Sequence, residues 1–193
     1  ESKDVTADMR RKAKVINFGI LYGMGVNALK ENLGTDRKEA QEFYDAYFAQ
    51  FHQLATYLQA VIASAKKTGF AQTLFGRRRY FPLMNSSMPQ MRAMAERMAI
   101  NAPIQGTQAD IIKISMVAID KALSKNNLAD HAKMLLQVHD ELIFEVDEKF
   151  TDKIHDIVVG VMENCIPAEF TTGRKTVPIS VGTALAKDWG SMK

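Results

Sequence analysis

The chain has 193 residues, of which 47% are hydrophobic and 24% charged, an ordinary composition for a globular protein. Every apolar run is far shorter than the roughly 18 residues of a membrane-spanning helix, so no transmembrane helix is expected and a membrane partner is unexpected. The net charge of +3 is uneven: residues 1–100 carry 15 Lys and Arg against 9 Asp and Glu, and residues 101–193 carry 10 against 13. A phosphate-binding lobe beside a metal-binding lobe is compatible with this asymmetry. The single cysteine, Cys165, excludes an internal disulfide and fits a reducing compartment.

Residues 9–23 predict an amphipathic helix, with Asp4 or Thr6 as its N-cap and Gly23 at its end. At about 100° per residue, four apolar residues form a stripe along the helix: Met9, Ala13, Ile16 and Ile20. This stripe is expected to dock on a core. A second row recurs at every fourth position and consists of Arg10, Lys14, Phe18 and Tyr22. Two cations followed by two aromatic rings suit a ligand with a polyanionic end and a flat end, such as a nucleoside triphosphate. A solvated basic helix that packs its aromatic side chains is the alternative.

Three further helices are predicted before residue 70. The first covers about residues 26–32, the second begins at Thr35 or Asp36, and the third covers about residues 53–68 and ends at Gly69. The second helix is expected to have one apolar face, which consists of Ala40, Phe43, Tyr47 and Phe51. Residues 70–82 then predict a small β-ribbon with three arginines at its tip, although a solvated charge cluster explains three arginines equally well.

A long helical pattern runs from Pro89 to about Lys125. Pro103 and Gly106 are expected to interrupt it, because an interior proline removes a hydrogen bond and kinks or ends a helix. A bend that exposes polar side chains is therefore predicted in the middle of this segment. From the helical pattern alone, Asn101 and Gln105 are predicted to be cap and loop residues.

Residues 134–146 predict a β-hairpin whose strands, 134–138 and 141–146, are joined by a tight turn at His139-Asp140. The strands are apolar, so the turn places carboxylates at the end of a rigid element. Successive strand residues point to opposite faces, so at most one of Asp140 and Glu141 is expected to ligate a metal directly. A merely solvated turn is the alternative. A helix over about residues 151–165 and a final strand over about residues 177–184 complete the predicted α+β fold.

Four phrases resemble motifs of the family A DNA polymerases, the bacterial DNA polymerase I type, and occur in a plausible order. The Arg-x3-Lys-x3-Phe-x3-Tyr-Gly helix is similar to motif B, the fingers helix that binds the incoming deoxynucleotide. Three further phrases follow along the chain: Thr-Leu-x-Gly-Arg-Arg-Arg, Asn-Ala-Pro-Ile-Gln-Gly, and Val-His-Asp-Glu, which is similar to motif C. The resemblance covers essentially the whole chain. It implies a mainly helical fingers lobe over residues 1–91 and the C-terminal part of a palm, with a small antiparallel sheet and packed helices, over residues 92–193.

The resemblance implies template-directed DNA synthesis in replication and repair, with nucleotidyl transfer from a deoxynucleoside triphosphate to a primer 3′ end by a two-metal mechanism. Residues matching nucleotide-binding positions are Arg10, Lys14, Phe18, Tyr22 and Gly23. Residues matching primer–template contacts are Arg77, Arg78, Arg97, Asn101, Gln105 and His139. The catalytic set is Asp140, Lys14, Arg10 and Glu141, with Asp140 as the Mg²⁺ ligand. A Phe at position 18, rather than Tyr, resembles enzymes that discriminate against dideoxynucleotides.

Family members hold two Mg²⁺ ions with two aspartates, and the first aspartate lies in motif A, before the fingers. No motif A phrase precedes Glu1, so we expect a fragment of a longer polymerase that holds half a metal site and is inactive alone. The implied partners are primer–template DNA, deoxynucleoside triphosphates and the missing N-terminal part, and the implied location is cytoplasmic, bacterial or phage-like, and DNA-associated. Two other classes are alternatives: a non-catalytic nucleic-acid-binding module and a nucleotide-binding regulatory domain.

Overall fold

A computed structural model describes residues 4–171 and 177–192, and this part of the chain has a mainly helical α+β fold, as predicted. Its helices are α1 (Ala7–Leu21), α2 (Val26–Leu33), α3 (Arg37–Gln50), α4 (His52–Thr68), α5 (Pro89–Lys125), α6 (Thr151–Glu163) and α7 (Ala168–Thr171). Its strands are β1 (Phe70–Gln72), β2 (Arg78–Tyr80), β3 (Ala132–Val138) and β4 (Glu141–Val146). The chain divides into two compact units, Glu1–Thr107 and Gln108–Lys193, and α5 contains their boundary.

Helix α1 begins where the sequence predicts, because the hydroxyl of Thr6 accepts a hydrogen bond from the Met9 N–H at 3.1 Å. Only the C-terminal half of its apolar stripe is buried, through Ile16 and Ile20, which pack with Leu29 of α2. The prediction that the whole stripe docks on a core is wrong for two residues. Met9 is 57% exposed and Ala13 is also exposed, because the first two turns of α1 have no apolar neighbour among the core residues described.

Helix α3 begins at the Asp36 cap, whose carboxylate accepts hydrogen bonds from the backbone of the first turn at 2.7 and 2.9 Å. The predicted apolar face is partly wrong. Ala40 is buried, but Phe43 and Phe51 are 40% and 49% exposed. Tyr47 packs on the α1–α2 core as predicted, together with Tyr44 and Phe48, which the prediction did not include. The buried face is thus shifted toward Tyr44 and Phe48, which share one helix face with Ala40 and Tyr47 at spacings of three and four residues.

The predicted ribbon is present, with β1 and β2 antiparallel and Phe70 opposite Tyr80. Ala71 is buried on the inner face of the ribbon, in a core shared with α4 and α5 whose members are Ala65, Ala71, Phe81, Met84, Ala95, Ala99 and Ala102. Small alanines dominate this core, so the helix backbones and the ribbon can approach closely. An ion pair of 2.6 Å between Lys66 of α4 and Glu96 of α5 lies beside it.

Helix α5 runs through Pro103 without interruption for 37 residues, so the predicted break is wrong. Proline removes a single i→i−4 hydrogen bond. Its neighbours Ala99 and Ala102 are buried in the alanine-rich core, and this packing holds the helix across the site of the missing bond. Among the described residues, no helix is both long and apolar enough to cross a membrane.

In the second unit, β3 and β4 form the predicted antiparallel hairpin, with Val138 opposite Glu141 and a two-residue turn between them. The register shifts between Met134 and Leu136, which leaves Leu135 as the extra residue of a β-bulge. One side of the hairpin packs on α5 and α6 around a core that consists of Ile119, Leu123, Leu128, Ala132 and Ile154.

The predicted strand over residues 177–184 is wrong, because residues 177–186 have no strand assignment and Val177 is 88% exposed. A strand needs backbone hydrogen bonds to a neighbouring strand. This segment is instead held by side chains of α6. Glu163 Oε1 accepts the Val181 N–H at 3.1 Å, and His155 Nε2 lies 3.2 Å from the Thr183 hydroxyl. Both described sheets therefore have two strands.

Candidate nucleotide and nucleic-acid site

The four-residue row on α1 begins with two cations that differ from the others on the same helix. Arg11 and Lys12 lie 2.7 and 2.9 Å from the carboxylate of Asp8. Hydrogen bonds from Arg11 and then Lys12 lower the pKa of Asp8 below its ordinary value. Arg10 and Lys14 are exposed and form no ion pair with any residue that the structure describes. The row therefore presents two charges that remain available to an anion.

Two aromatic rings continue the row toward the end of α1. The rings of Phe18 and Tyr22 are nearly parallel, 17° apart in plane angle, with centroids separated by 6.0 Å. The Lys14 ammonium lies 5.9 Å from the centre of the Phe18 ring. The predicted order of charges and then flat surfaces is therefore present on one helix, with the charged end toward the N-terminus of α1.

The end of α1 is a tight turn in which a small residue is required. The Met24 N–H donates to the Gly19 carbonyl at 2.7 Å, and the Gly23 N–H donates to the Ile20 carbonyl at 3.0 Å. These two bonds form a Schellman motif, which needs a left-handed residue, and Gly23 has φ +81°. A Cβ at Gly23 would lie 2.8 Å from Cγ of Arg97 on α5. The structure thus brings a predicted nucleotide-binding residue against a predicted DNA-binding residue.

Replacing Gly23 by alanine should lower the free energy of unfolding by about 1–3 kcal/mol, because it combines backbone strain with a clash against Arg97. Gly34 offers a matched control, since it also has a positive φ, +67°, but its Cβ would meet nothing within 4 Å. Urea unfolding of both variants measures the difference. Equal decreases for the two glycines would contradict the predicted clash with Arg97.

Three predicted DNA-binding side chains recur at every fourth residue of α5: Arg97, Asn101 and Gln105. Arg97 and Gln105 are exposed and Asn101 is half-buried. The side-chain oxygen of Asn101 is shielded from solvent and accepts no hydrogen bond from the described residues. Buried acceptors without a hydrogen-bond partner are uncommon in folded proteins. The continuous helix therefore sets these three side chains at regular intervals along α5.

The arginines of the ribbon tip have different surroundings. Arg77 Nη2 donates to the Gly106 carbonyl on α5 at 3.0 Å, so part of its guanidinium contacts the protein itself. Arg78 lies over the Phe70 ring at 4.4 Å, and Arg79 lies 5.7 Å from the Phe81 ring. Arg78 and Arg79 are exposed and form no ion pair with the described residues, so their charges face solvent.

The turn of the β3–β4 hairpin places Asp140 at its tip. His139 has φ +53°, a left-handed conformation that is uncommon outside glycine. The side-chain amide of Gln137 donates to the His139 carbonyl, which supports this strained peptide. His139, Asp140 and Glu141 are all exposed. The carboxylate that the sequence predicts as a metal ligand is therefore at the solvent-facing end of the hairpin.

The carboxylates of the turn fit a magnesium ion that is shared with a substrate. Within the described residues, no three or more His, Cys, Asp or Glu side chains gather as a metal-binding group. Mg²⁺ is commonly bound through one or two carboxylates, with substrate phosphates and water as its other ligands. An exposed aspartate at a hairpin tip suits this arrangement and would not hold the ion without further ligands.

Sequence reasoning found the row on α1 and the turn but missed three residues that hold the predicted site residues in place. These are Gly106, Thr107 and Gln137, which bond to the ribbon tip or to the His139 peptide. The partners of Gly106 and Thr107 lie 29 and 33 residues away in sequence, so no local pattern reveals them. Gln137 lies two residues before His139, and its position next to a hairpin turn was the only available signal.

Several known proteins are similar to this chain in sequence and in fold. The family model of DNA polymerase family A matches residues 1–191. DNA polymerase I of Pseudomonas aeruginosa is 44% identical over 187 residues, which cover 97% of this chain and 20% of that protein. DNA polymerase I of Rhizobium leguminosarum is 43% identical over 182 residues, which cover 94% of this chain and 18% of that protein. The POL domain of Pol1 from M. smegmatis, solved in complex with DNA primer-template and dNTP, superposes with a TM-score of 0.81 at 41% identity, covering 86% of this chain and 29% of that one.

The chain therefore belongs to DNA polymerase family A. It spans about a fifth of the length of the curated relatives that it matches.

Proposed function

We propose that this chain supplies the fingers, over residues 1–91, and the C-terminal part of the palm, over residues 92–193, of a cytoplasmic DNA-directed DNA polymerase. In this proposal it binds a deoxynucleoside triphosphate and primer–template DNA for nucleotidyl transfer in replication and repair. The observation that carries the proposal is the ordered row on α1, in which two cations without an ion pair among the described residues precede two near-parallel rings.

The nucleotide is bound along α1. Arg10 and Lys14 donate charge-assisted hydrogen bonds to the triphosphate and offset the negative charge that develops on the leaving pyrophosphate. Phe18 and Tyr22 provide the adjoining flat surface for the sugar and base, and Gly23 completes the pocket. Because the Schellman turn fixes the end of α1, the Tyr22 ring is held at a defined position beside the base. Nucleotide orientation is thus set by one rigid helix.

The primer–template is bound by α5 and the ribbon. Arg97, Asn101 and Gln105 contact the duplex near the insertion position, and Arg77 and Arg78 contact phosphates. Phosphate contacts fix the register of the duplex, whereas the amide side chains reach bases or sugars. Close packing of Gly23 on Arg97 links the end of the nucleotide helix to a DNA-contacting side chain.

The hairpin turn of the second unit carries the acidic residues of the proposed function. Asp140 would hold Mg²⁺ together with a motif A aspartate and the substrate phosphates, and His139 and Glu141 would support the primer end. Bound in pairs, Mg²⁺ ions stabilise the attacking and leaving oxygens of an in-line displacement. The Gln137 amide maintains the turn conformation that presents Asp140.

Equilibrium dialysis of the 193-residue chain tests the nucleotide assignment without requiring catalysis. A deoxynucleoside triphosphate should be retained, and the matching deoxynucleoside without phosphates should not be, because both cations of the row act on the phosphates. Sodium chloride at increasing concentration should weaken retention, since exposed charges are screened. Equal retention of the two compounds would contradict the proposal.

A further inference from the structure

The ribbon tip is fixed to α5 by contacts that the proposed roles do not use. The Leu74 N–H donates to the Thr107 hydroxyl at 2.9 Å, and Arg77 Nη2 donates to the Gly106 carbonyl at 3.0 Å. The two bonds come from either side of the ribbon turn and end on consecutive residues of one helix. We call this set of contacts, from Leu74 and Arg77 to Gly106 and Thr107, the ribbon latch.

The Thr107 hydroxyl has the right bonding pattern for this contact. It donates to the Pro103 carbonyl one helical turn earlier, which commits its only proton. Its oxygen is therefore an acceptor toward the ribbon, where the Leu74 N–H points. A proline at position 103 does not disturb this carbonyl, because proline lacks the N–H and keeps the C=O.

Gly106 is required by close approach. A Cβ at Gly106 would lie 2.6 Å from Cγ2 of Thr73 and 3.3 Å from Nη2 of Arg77. Thr73 is buried, and it is fixed by its own bonds, since its N–H donates to the Arg77 carbonyl and its hydroxyl accepts the Arg77 N–H. The Thr73 methyl group therefore has little room to move, and a larger residue at 106 would push the ribbon away from α5.

We propose that Gly106 and Thr107 are positioning residues for primer–template binding. The ribbon latch holds the arginines of the tip at a fixed distance from the row Arg97, Asn101 and Gln105, so that both contact one duplex. This inference rests on the proposed function. Neither residue needs to touch DNA, and a loosened latch costs affinity because the tip must be ordered again on binding.

Thr107→Val removes the hydroxyl with almost no change in shape. Primer–template binding to the 193-residue chain, measured by fluorescence anisotropy, should weaken about 2- to 10-fold. The slope of the logarithm of the DNA-binding constant against the logarithm of the salt concentration should also become smaller, by about one for each phosphate that the displaced arginines no longer neutralise. A general loss of folding would lower the affinity without this change of slope. Thr107→Ser should restore both values, and the Leu74 amide should exchange hydrogen faster only in the valine variant. Thr56→Val is the control, because the Thr56 hydroxyl donates to His52 within α4.

Gly106→Ala tests the close approach at the latch. The clash of the added Cβ with Thr73 opposes the gain in helix propensity from glycine to alanine, and the salt slope should fall together with the DNA affinity, which a loss of thermal stability by itself would not produce. Gly160→Ala in α6 is the matched control, since a Cβ there meets nothing within 4 Å, and it should leave DNA binding unchanged.

Unchanged affinity and salt slope in both latch variants would overturn the inference. If Arg97→Ala still weakened DNA binding in that case, the proposed function would stand. Two other results would contradict the proposed DNA contacts: Arg97→Ala binds DNA as well as the unaltered chain, or the unaltered chain does not bind DNA. Either result would also overturn the inference about the latch, because that inference rests on those contacts. Equal decreases in affinity for Thr107→Ser and Thr107→Val would also overturn the inference, because the hydroxyl would then have no part.

Discussion

Lys14→Ala, in the longer polymerase that the proposed function implies, should raise the nucleotide concentration for half-maximal incorporation by roughly 10- to 150-fold. Its ammonium is exposed, has no acidic partner among the described residues and lies 5.9 Å from the Phe18 ring. Removing a charged donor from a phosphate loses about 1.5–3 kcal/mol, which corresponds to that range. Single-turnover incorporation at varied nucleotide concentration measures the effect, and primer–template affinity should remain the same.

Lys12→Ala is the matched control for this experiment. Lys12 lies on the same helix, but its ammonium is 2.9 Å from Asp8 and its charge is already compensated. Exposed ion pairs are worth about 0–1 kcal/mol, so nucleotide dependence should change by less than about fivefold. If Lys14→Ala lowered primer–template affinity and left nucleotide dependence unchanged, Lys14 would be a DNA contact and the assignment would be reversed.

The second large effect concerns the 193-residue chain by itself, which should not extend a primer. Asp140 is the one motif C aspartate, and the described residues contain no cluster of three or more metal-ligating side chains. Two-metal transfer needs both ions fixed across the reacting phosphorus, and misplacement by about 1 Å costs roughly 100-fold in rate. Nucleotide binding to Arg10 and Lys14 should survive, since these residues lie on a single helix.

Local signals predicted the elements that carry the site. Thr6 and Asp36 cap their helices where predicted, because a side-chain acceptor before an apolar pattern specifies a helix start without any tertiary contact. The turn at His139-Asp140 was predicted correctly because two apolar strands surround two polar residues. The order of Arg10, Lys14, Phe18 and Tyr22 along α1 follows from helical spacing, whereas their assignment to a nucleotide came from the family resemblance.

Tertiary packing decided the features that were predicted wrongly. Val177–Ala184 has a strand-like composition, but its backbone bonds to a side chain of α6, and a strand exists only with a partner. Continuity of α5 through Pro103 depends on the alanine-rich core that surrounds it. Exposure of Phe43 depends on how α3 is rotated against α1 and α2, which the spacing of apolar residues along α3 does not specify.

The contacts of the ribbon latch were not predicted at all, and tertiary packing is again the reason. Thr107 and Leu74 are 33 residues apart, and each has an ordinary local explanation, one in a helix and one in a turn. Their contact is decided by the packing of the ribbon on α5. Contacts of this kind become visible only when the distances between elements are known.

A primer-extension assay on separate parts tests the central claim most directly. The purified 193-residue chain is mixed with primer–template, Mg²⁺ and four deoxynucleoside triphosphates, with and without an upstream fragment that carries a motif A aspartate. We expect no extension above the Asp140→Ala control when the chain is alone, and template-dependent extension when the upstream fragment is added to the unaltered chain. Template-dependent extension by the chain alone, above its Asp140→Ala control, would contradict the claim that these residues hold half of a two-aspartate metal site.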